Sequence, residues 1–157
     1  MASDVSLRKV NQDDLPIFFE DQMDPEAARI ARFPSRDKDA FMAHWSKIMI
    51  DDTCILRTIL FHGQVAGNIG CWPQGGMTLV GYWISKKYWG KGIATAALGE
   101  ILGLVAARPL HAYVAKQNAA SIRVLEKCGF ETVGEEDHDY IMMLADNPKG
   151  EAAKGRP

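Results

Sequence analysis

Residues 80–98 read VGYWISKKYWGKGIATAAL, and the fold turns on how this stretch is divided. Residues 77–85 are apolar and β-prone, as a strand requires. Gly90 and Gly92 interrupt that run. Ile93, Ala97, Leu98, Ile101, Leu102 and Val105 then recur at helical spacing until Pro109. A strand thus passes through a glycine turn directly into a helix, which aims several main-chain N–H groups without intrahelical partners at one point and adds the helix dipole to their field. Such a turn is a cradle for an anion. Glycine lets the main chain approach a phosphate closely, and Ala94 keeps the first helical turn small.

Spacing separates this cradle from two others. A P-loop needs GxxxxGK followed by Ser or Thr, whereas Lys91 lies between the glycines here and Ile93 follows. A dinucleotide fingerprint needs GxGxxG, but position 95 is Thr and the helical pattern continues. Both argue against nucleotide hydrolysis and dinucleotide binding. A glycine turn that only connects two elements stays open at this point.

Upstream, residues 53–61 and 64–72 read as a hairpin turned by His62 and Gly63, and residues 73–76, PQGG, break the chain before the strand of 77–85. Residues 5–10 form a short first strand. Between lie three helix starts: Asn11 to Asp14 with Pro16, Asp24 with Pro25, and Asp37. Leu15, Phe18, Phe19 and Met23 share one helical face, and Phe41, Trp45, Ile48 and Met49 another.

Downstream, residues 110–115 read as a strand. Asn118 caps a helix carrying Ile122, Val124 and Leu125, Gly129 closes it, and residues 130–134 and 139–144 form a last hairpin. Alternating strands and helices imply a parallel crossover, and antiparallel strands precede it, so the class is mixed α and β.

The 157 residues, 47% hydrophobic and 24% charged, suit one domain that folds without disulfides or a structural metal. We expect a single domain over 1–146 and a disordered tail over 147–157. Cys54, Cys71 and Cys128 lack CxxC spacing and read as reduced packing residues, and His111 and His138 lack metal-ligand partners, so no metal site is expected. A formal charge of −2 argues against a nucleic-acid partner, and no apolar run reaches about 18 residues, so neither a membrane partner nor a span is expected. With no secretory signal in the first residues, the expected location is cytoplasmic. A monomer and a homodimer both fit.

Two segments carry a resemblance. Residues 81–98, GYWISKKYWGKGIATAAL, look like the acetyl-coenzyme A signature of the GNAT superfamily, and residues 118–130, NAASIRVLEKCGF, resemble that family's second block at the usual separation. The wording is closest to the RimJ/RimL-like branch. The resemblance covers residues 5–145, is specific over 80–130, and is weak before 50. It implies a GNAT fold, with a mixed sheet of six to seven strands flanked by helices and a splayed parallel pair at its centre. It also implies an N-acetyltransferase that moves an acetyl group from acetyl-CoA to an amine by direct attack. A non-catalytic acyl-CoA-binding sensor or partner-binding module is the alternative.

The resemblance also implies roles for particular residues. The backbone of Tyr82, Trp83 and Ile84 pairs with the pantetheine amides. The pyrophosphate rests on the amides of Gly90, Lys91, Gly92, Ile93, Ala94 and Thr95. Asn118 and Ser121 lie beside the pantetheine and the sulfur. The family's Gln or Arg slot holds Trp89, as in the RimJ/RimL-like branch; this residue either packs on the cofactor or covers the helix. Lys91 either reaches a phosphate or is solvated.

Transfer to an amine needs a neutral nucleophile and a hydrogen-bond donor for the departing thiolate. Many GNAT enzymes place a tyrosine in the second block as that donor, but the matching slot is Leu125. Ser121 is the nearest replacement, unless its hydroxyl bonds its own backbone. No acid occurs in residues 77–84; Glu20, Asp21 and His62 are the candidate bases from elsewhere. An α-amine is neutral about one time in seven at pH 7 and a lysine amine about one in 2,500, so a missing base favours a peptide N-terminus or a small amine. Acceptor selection is expected from Phe18, Phe19, Glu20, Arg29, Arg32, Phe33 and Trp45.

Overall fold

A computed structural model of the chain describes residues 4–32 and 34–145. The strands are β1 (Val5–Lys9), β2 (Ile55–Phe61), β3 (Gln64–Gln74), β4 (Met77–Ile84), β5 (Leu110–Ala115), β6 (Glu131–Glu136) and β7 (Asp139–Leu144). The helices are α1 (Leu15–Met23), α2 (Pro25–Ala31), α3 (Lys38–Met49), α4 (Ile93–Leu104) and α5 (Ala119–Lys127). All seven strands form one sheet in the order β1-β2-β3-β4-β5-β7-β6. Every neighbouring pair is antiparallel except β4 and β5, which are parallel. This is the mixed architecture that the helical and strand periodicities imply.

The helix starts follow local chemistry. Asp24 and Asp37 accept from the N–H groups of Ala27 and Ala40, each at 2.8 Å, and Asn118 accepts from Ser121 at 3.2 Å. Helices α2, α3 and α5 therefore begin under side-chain caps, whereas α4 begins at Gly92 with none. Asn11 and Asp14 make a capping box on the short 3-10 turn that leads into α1.

Two apolar clusters hold these elements. The larger one sits under α4, whose Ile93, Ala97, Leu98 and Ile101 are each at most 2% exposed and pack with Ile59, Ile69, Leu110 and Met142 of the sheet. Burying a Leu or Ile side chain of this kind contributes about 1.5–3 kcal/mol. The smaller cluster joins α1 to α3 through Leu15, Phe18, Phe41 and Trp45. Its rings meet at centroid distances of 5.2 Å (Phe18–Trp45) and 6.1 Å (Phe41–Trp45).

The structure departs from expectation in two places. Strand β3 continues through Pro73 to Gln74 instead of breaking there, and the turn falls on Gly75 and Gly76. The β2 pairing ends at Ile55↔Cys71, so beyond it β3 has a strand on one side only, where a residue lacking an N–H is tolerated. Helix α4 stops at Leu104, and Val105 is extended, although its side chain is still buried. The tail over 147–157 lies outside the described residues, as does Phe33.

Parallel pairing between β4 and β5 is confined to Thr78↔Leu110 and Leu79↔His111. Beyond these, residues 80–84 of β4 and 112–115 of β5 run on without pairing to each other. The sheet is split at its centre, at the carboxyl ends of both strands.

Candidate active site

The split opens into a cleft of about 480 Å³. One wall is β4 and the turn into α4; the other is the start of α5, and α2 covers the top with Ala27, Ile30 and Ala31. All twelve residues that the sequence assigns to the coenzyme and the departing thiolate line this one space: Tyr82, Trp83, Ile84, Trp89, Gly90, Lys91, Gly92, Ile93, Ala94, Thr95, Asn118 and Ser121.

The turn has an anion cradle's geometry. Gly90 and Gly92 take φ of 77° and 76°, left-handed values that disfavour any side chain, and a Cβ at either would meet nothing within 4 Å. No acceptor among the described residues takes the N–H groups of residues 90–95; the first bonded amide of the helix is Ala96, to the carbonyl of Gly92. Unpaired donors are tolerated only when solvent or a ligand satisfies them. Arg123 and Lys127, one turn apart on α5, bring cationic side chains to the same cleft, as does Lys91. These residues fit a diphosphate.

Individual side chains divide between cleft and scaffold. The Ile93 side chain is buried in the core, so only its main chain serves the cleft. Trp89 is 38% exposed and donates its indole N–H to the Ile84 carbonyl at 2.9 Å, closing part of the strand edge that β5 leaves free. The Asn118 side-chain oxygen Oδ1 is committed to the Ser121 N–H. Ser121 Oγ is not spent on its own backbone: it lies 2.5 Å from the Tyr82 hydroxyl, across the cleft on β4. Burial pushes that phenol up to about 12, against the opposing effect of the Ser121 bond. Leu125 is buried in the core.

Of the three candidate bases, Glu20 is exposed, and His62 is solvent-exposed beside Asp4. Asp21 differs. Burial raises its carboxyl to about 6, against the lowering effect of the Ser85 hydroxyl, which donates to Oδ1 at 2.8 Å. It lines a separate cavity between α1, the β2–β3 turn and residues 85–88, and not the central cleft.

The expected acceptor residues fare unevenly. Phe18 and Trp45 are core, at 2% and 9% exposure, and none of Phe18, Phe19, Glu20, Arg29, Arg32 or Trp45 lines the central cleft. Missed contributors include Arg123 and Lys127 of α5, and Ala27, Ile30 and Ala31, whose i, i+3, i+4 spacing after the Asp24-Pro25 helix start is legible but whose apolar side chains carry little signal. Gln117 ties that helix down by donating to the carbonyls of Arg29 and Ile30 at 2.6 and 3.2 Å.

The family model described as "Acetyltransferase (GNAT) domain" matches residues 4–131. Among solved structures, spermidine N-acetyltransferase from Vibrio cholerae in complex with CoA and spermine superposes with a TM-score of 0.78 at 15% identity, over 92% of this chain and 96% of that one. A GNAT-family acetyltransferase from Bacillus anthracis gives 0.77 at 17% identity, over 91% and 95%. RimL, a ribosomal L7/L12 alpha-N-protein acetyltransferase in complex with coenzyme A, gives 0.73 at 17% identity, over 91% and 93%. No curated protein sequence matches the chain.

Proposed function

The chain belongs to the GNAT acetyltransferase domain family, and on that premise we propose that it moves an acetyl group from acetyl-coenzyme A to an amine, within the RimJ/RimL-like branch. One observation carries the reading: residues 90–95, whose N–H groups have no acceptor among the described residues, line the cleft that opens where β4 and β5 part. The amides hold the coenzyme's diphosphate, with Lys91, Arg123 and Lys127 supplying positive charge. The edge of β4 over residues 82–84, which β5 does not pair, takes the pantetheine as a further strand would, with the Ile84 carbonyl already shared with Trp89. That places the thioester in the gap beside Asn118 and Ser121.

The amine then attacks the thioester carbon: a C–N bond forms, the C–S bond breaks, and the amine's surplus proton leaves to solvent. Ser121 donates to the departing sulfur, the role for which Leu125 has no polar atom. Support for the branch comes from the YWGKGIAT wording and from RimL among the similar structures. A cytoplasmic location is part of the same proposal. Among the described residues no helix is long and apolar enough to cross a membrane.

The acceptor is a peptide N-terminus or a small amine, because among the described residues no carboxylate or histidine lines the cleft and a low-pKa amine needs less help from a base. Thiol release from acetyl-coenzyme A, measured across free-N-terminus peptides, N-blocked lysine peptides and polyamines, tests both parts. We expect acceleration by at least one N-terminal peptide or small amine, and little with N-blocked lysine peptides. Coenzyme binding with no release across the panel would favour the non-catalytic module. Fast turnover restricted to lysine side chains would overturn the acceptor assignment.

A further inference from the structure

The short bond between Tyr82 and Ser121 does more than brace the cleft. Ser121 lies in the first turn of α5, where a serine hydroxyl ordinarily caps its own helix. Here Asn118 already takes the Ser121 N–H, so the hydroxyl is released from that task. Its partner is instead a phenol on β4, thirty-nine residues earlier and on the facing wall. Both side chains line the space into which the thioester is read to project. Leu125, one turn further along α5, is buried and apolar, so no tyrosine of that helix competes for the position.

Resting on the transfer reading above, we infer that Tyr82 is a positioning residue for departure of the thiolate: its hydroxyl donates to Ser121 Oγ and thereby turns the serine's own O–H toward the sulfur. A hydroxyl that accepts one bond is a better donor of the next, because the two polarise each other in a low-dielectric cleft. The phenol suits the inner place in this chain, since its burial keeps it a neutral donor throughout the working pH range. The bonds balance simply. As C–S cleavage puts an electron pair on sulfur, the Ser121 O–H donates to it while Oγ goes on accepting from the Tyr82 O–H. The proton that finally makes the thiol is delivered from solvent, replacing the one the amine has lost.

Tyr82→Phe, Ser121→Ala and the double variant form the test, with kcat and KM for acetyl-coenzyme A read separately and coenzyme binding followed by calorimetry. We expect Tyr82→Phe to lower kcat about tenfold, the loss of one net hydrogen bond in the transition state, with KM and affinity within about twofold of the unaltered protein. In the Ser121→Ala background the same change should lower kcat less than about twofold, because Tyr82 acts only through the serine. Unchanged kcat in Tyr82→Phe, or an equal loss in both backgrounds, overturns the inference and leaves acetyl transfer standing. If the unaltered protein binds the coenzyme but no amine accelerates thiol release, the transfer reading falls and takes this inference with it.

Discussion

Gly92→Glu is expected to weaken coenzyme A binding by at least about 100-fold while the protein still folds. Gly92 is the N-cap of α4, held at φ 76°, with nothing within 4 Å of where a Cβ would stand. The substitution costs about 1–2 kcal/mol of stability for the left-handed backbone, which a domain with several kcal/mol in hand survives. Its carboxylate, however, sits in the field that should attract diphosphate. Losing two charge-assisted amide bonds at about 1.5–3 kcal/mol each corresponds to 100-fold or more in affinity. Gly92→Ala serves as the control, carrying the backbone strain without the charge, and should keep most of the affinity. Calorimetry on the folded variants reads both. Full binding by Gly92→Glu would place the diphosphate elsewhere.

The second large effect concerns stability, at a site remote from the cleft. Asp14 is 2% exposed and accepts four hydrogen bonds: two from the Arg8 guanidinium at 2.8 Å, one from the Asn11 N–H at 3.0 Å and one from the Thr58 hydroxyl at 2.6 Å. It ties β1, the entrance to α1 and β2 together. Burial alone would raise its pKa, but the bonds from Arg8, Asn11 and Thr58 outweigh this and hold the carboxyl at about 2. Because the folded value lies below the unfolded one, the stabilisation is fully present above about pH 4 and is lost as pH falls toward 2. Asp14→Ala leaves the Arg8 guanidinium without its carboxylate and two donors unpaired and should cost about 3 kcal/mol, lowering Tm by about 6–12 °C at pH 7. At pH 2 the variant and the unaltered protein should differ much less. An unchanged Tm at pH 7, or a gap that stays constant from pH 7 to pH 2, would contradict this account of the network.

Much of the fold is legible in the sequence because its signals are local. Helix starts at Asp24 and Asp37 are written in a carboxylate three residues ahead of the N–H it takes, and Pro25 adds a ring already set for a first helical turn. The turn at Gly90 and Gly92 is legible for the same reason, since left-handed backbone leaves few residue choices. Pro73 misleads because its cost depends on whether a strand lies alongside, a tertiary fact. The aromatic faces of α1 and α3 mislead in another way. A core stripe and a cleft wall have the same apolar character, and only the placement of α2 over the gap decides that Ala27, Ile30 and Ala31 face the cleft. The Tyr82–Ser121 bond lies beyond any spacing argument, because it depends on how far the β4–β5 splay brings α5 toward β4.

A crystal structure of the protein with acetyl-coenzyme A bound tests the central claim most directly. The account predicts diphosphate oxygens within hydrogen-bond reach of main-chain N–H groups of residues 90–95, and a pantetheine arm lying between β4 and β5 with its sulfur beside Ser121. A coenzyme seated elsewhere, with those amides still facing water and the gap between the strands empty, would contradict it.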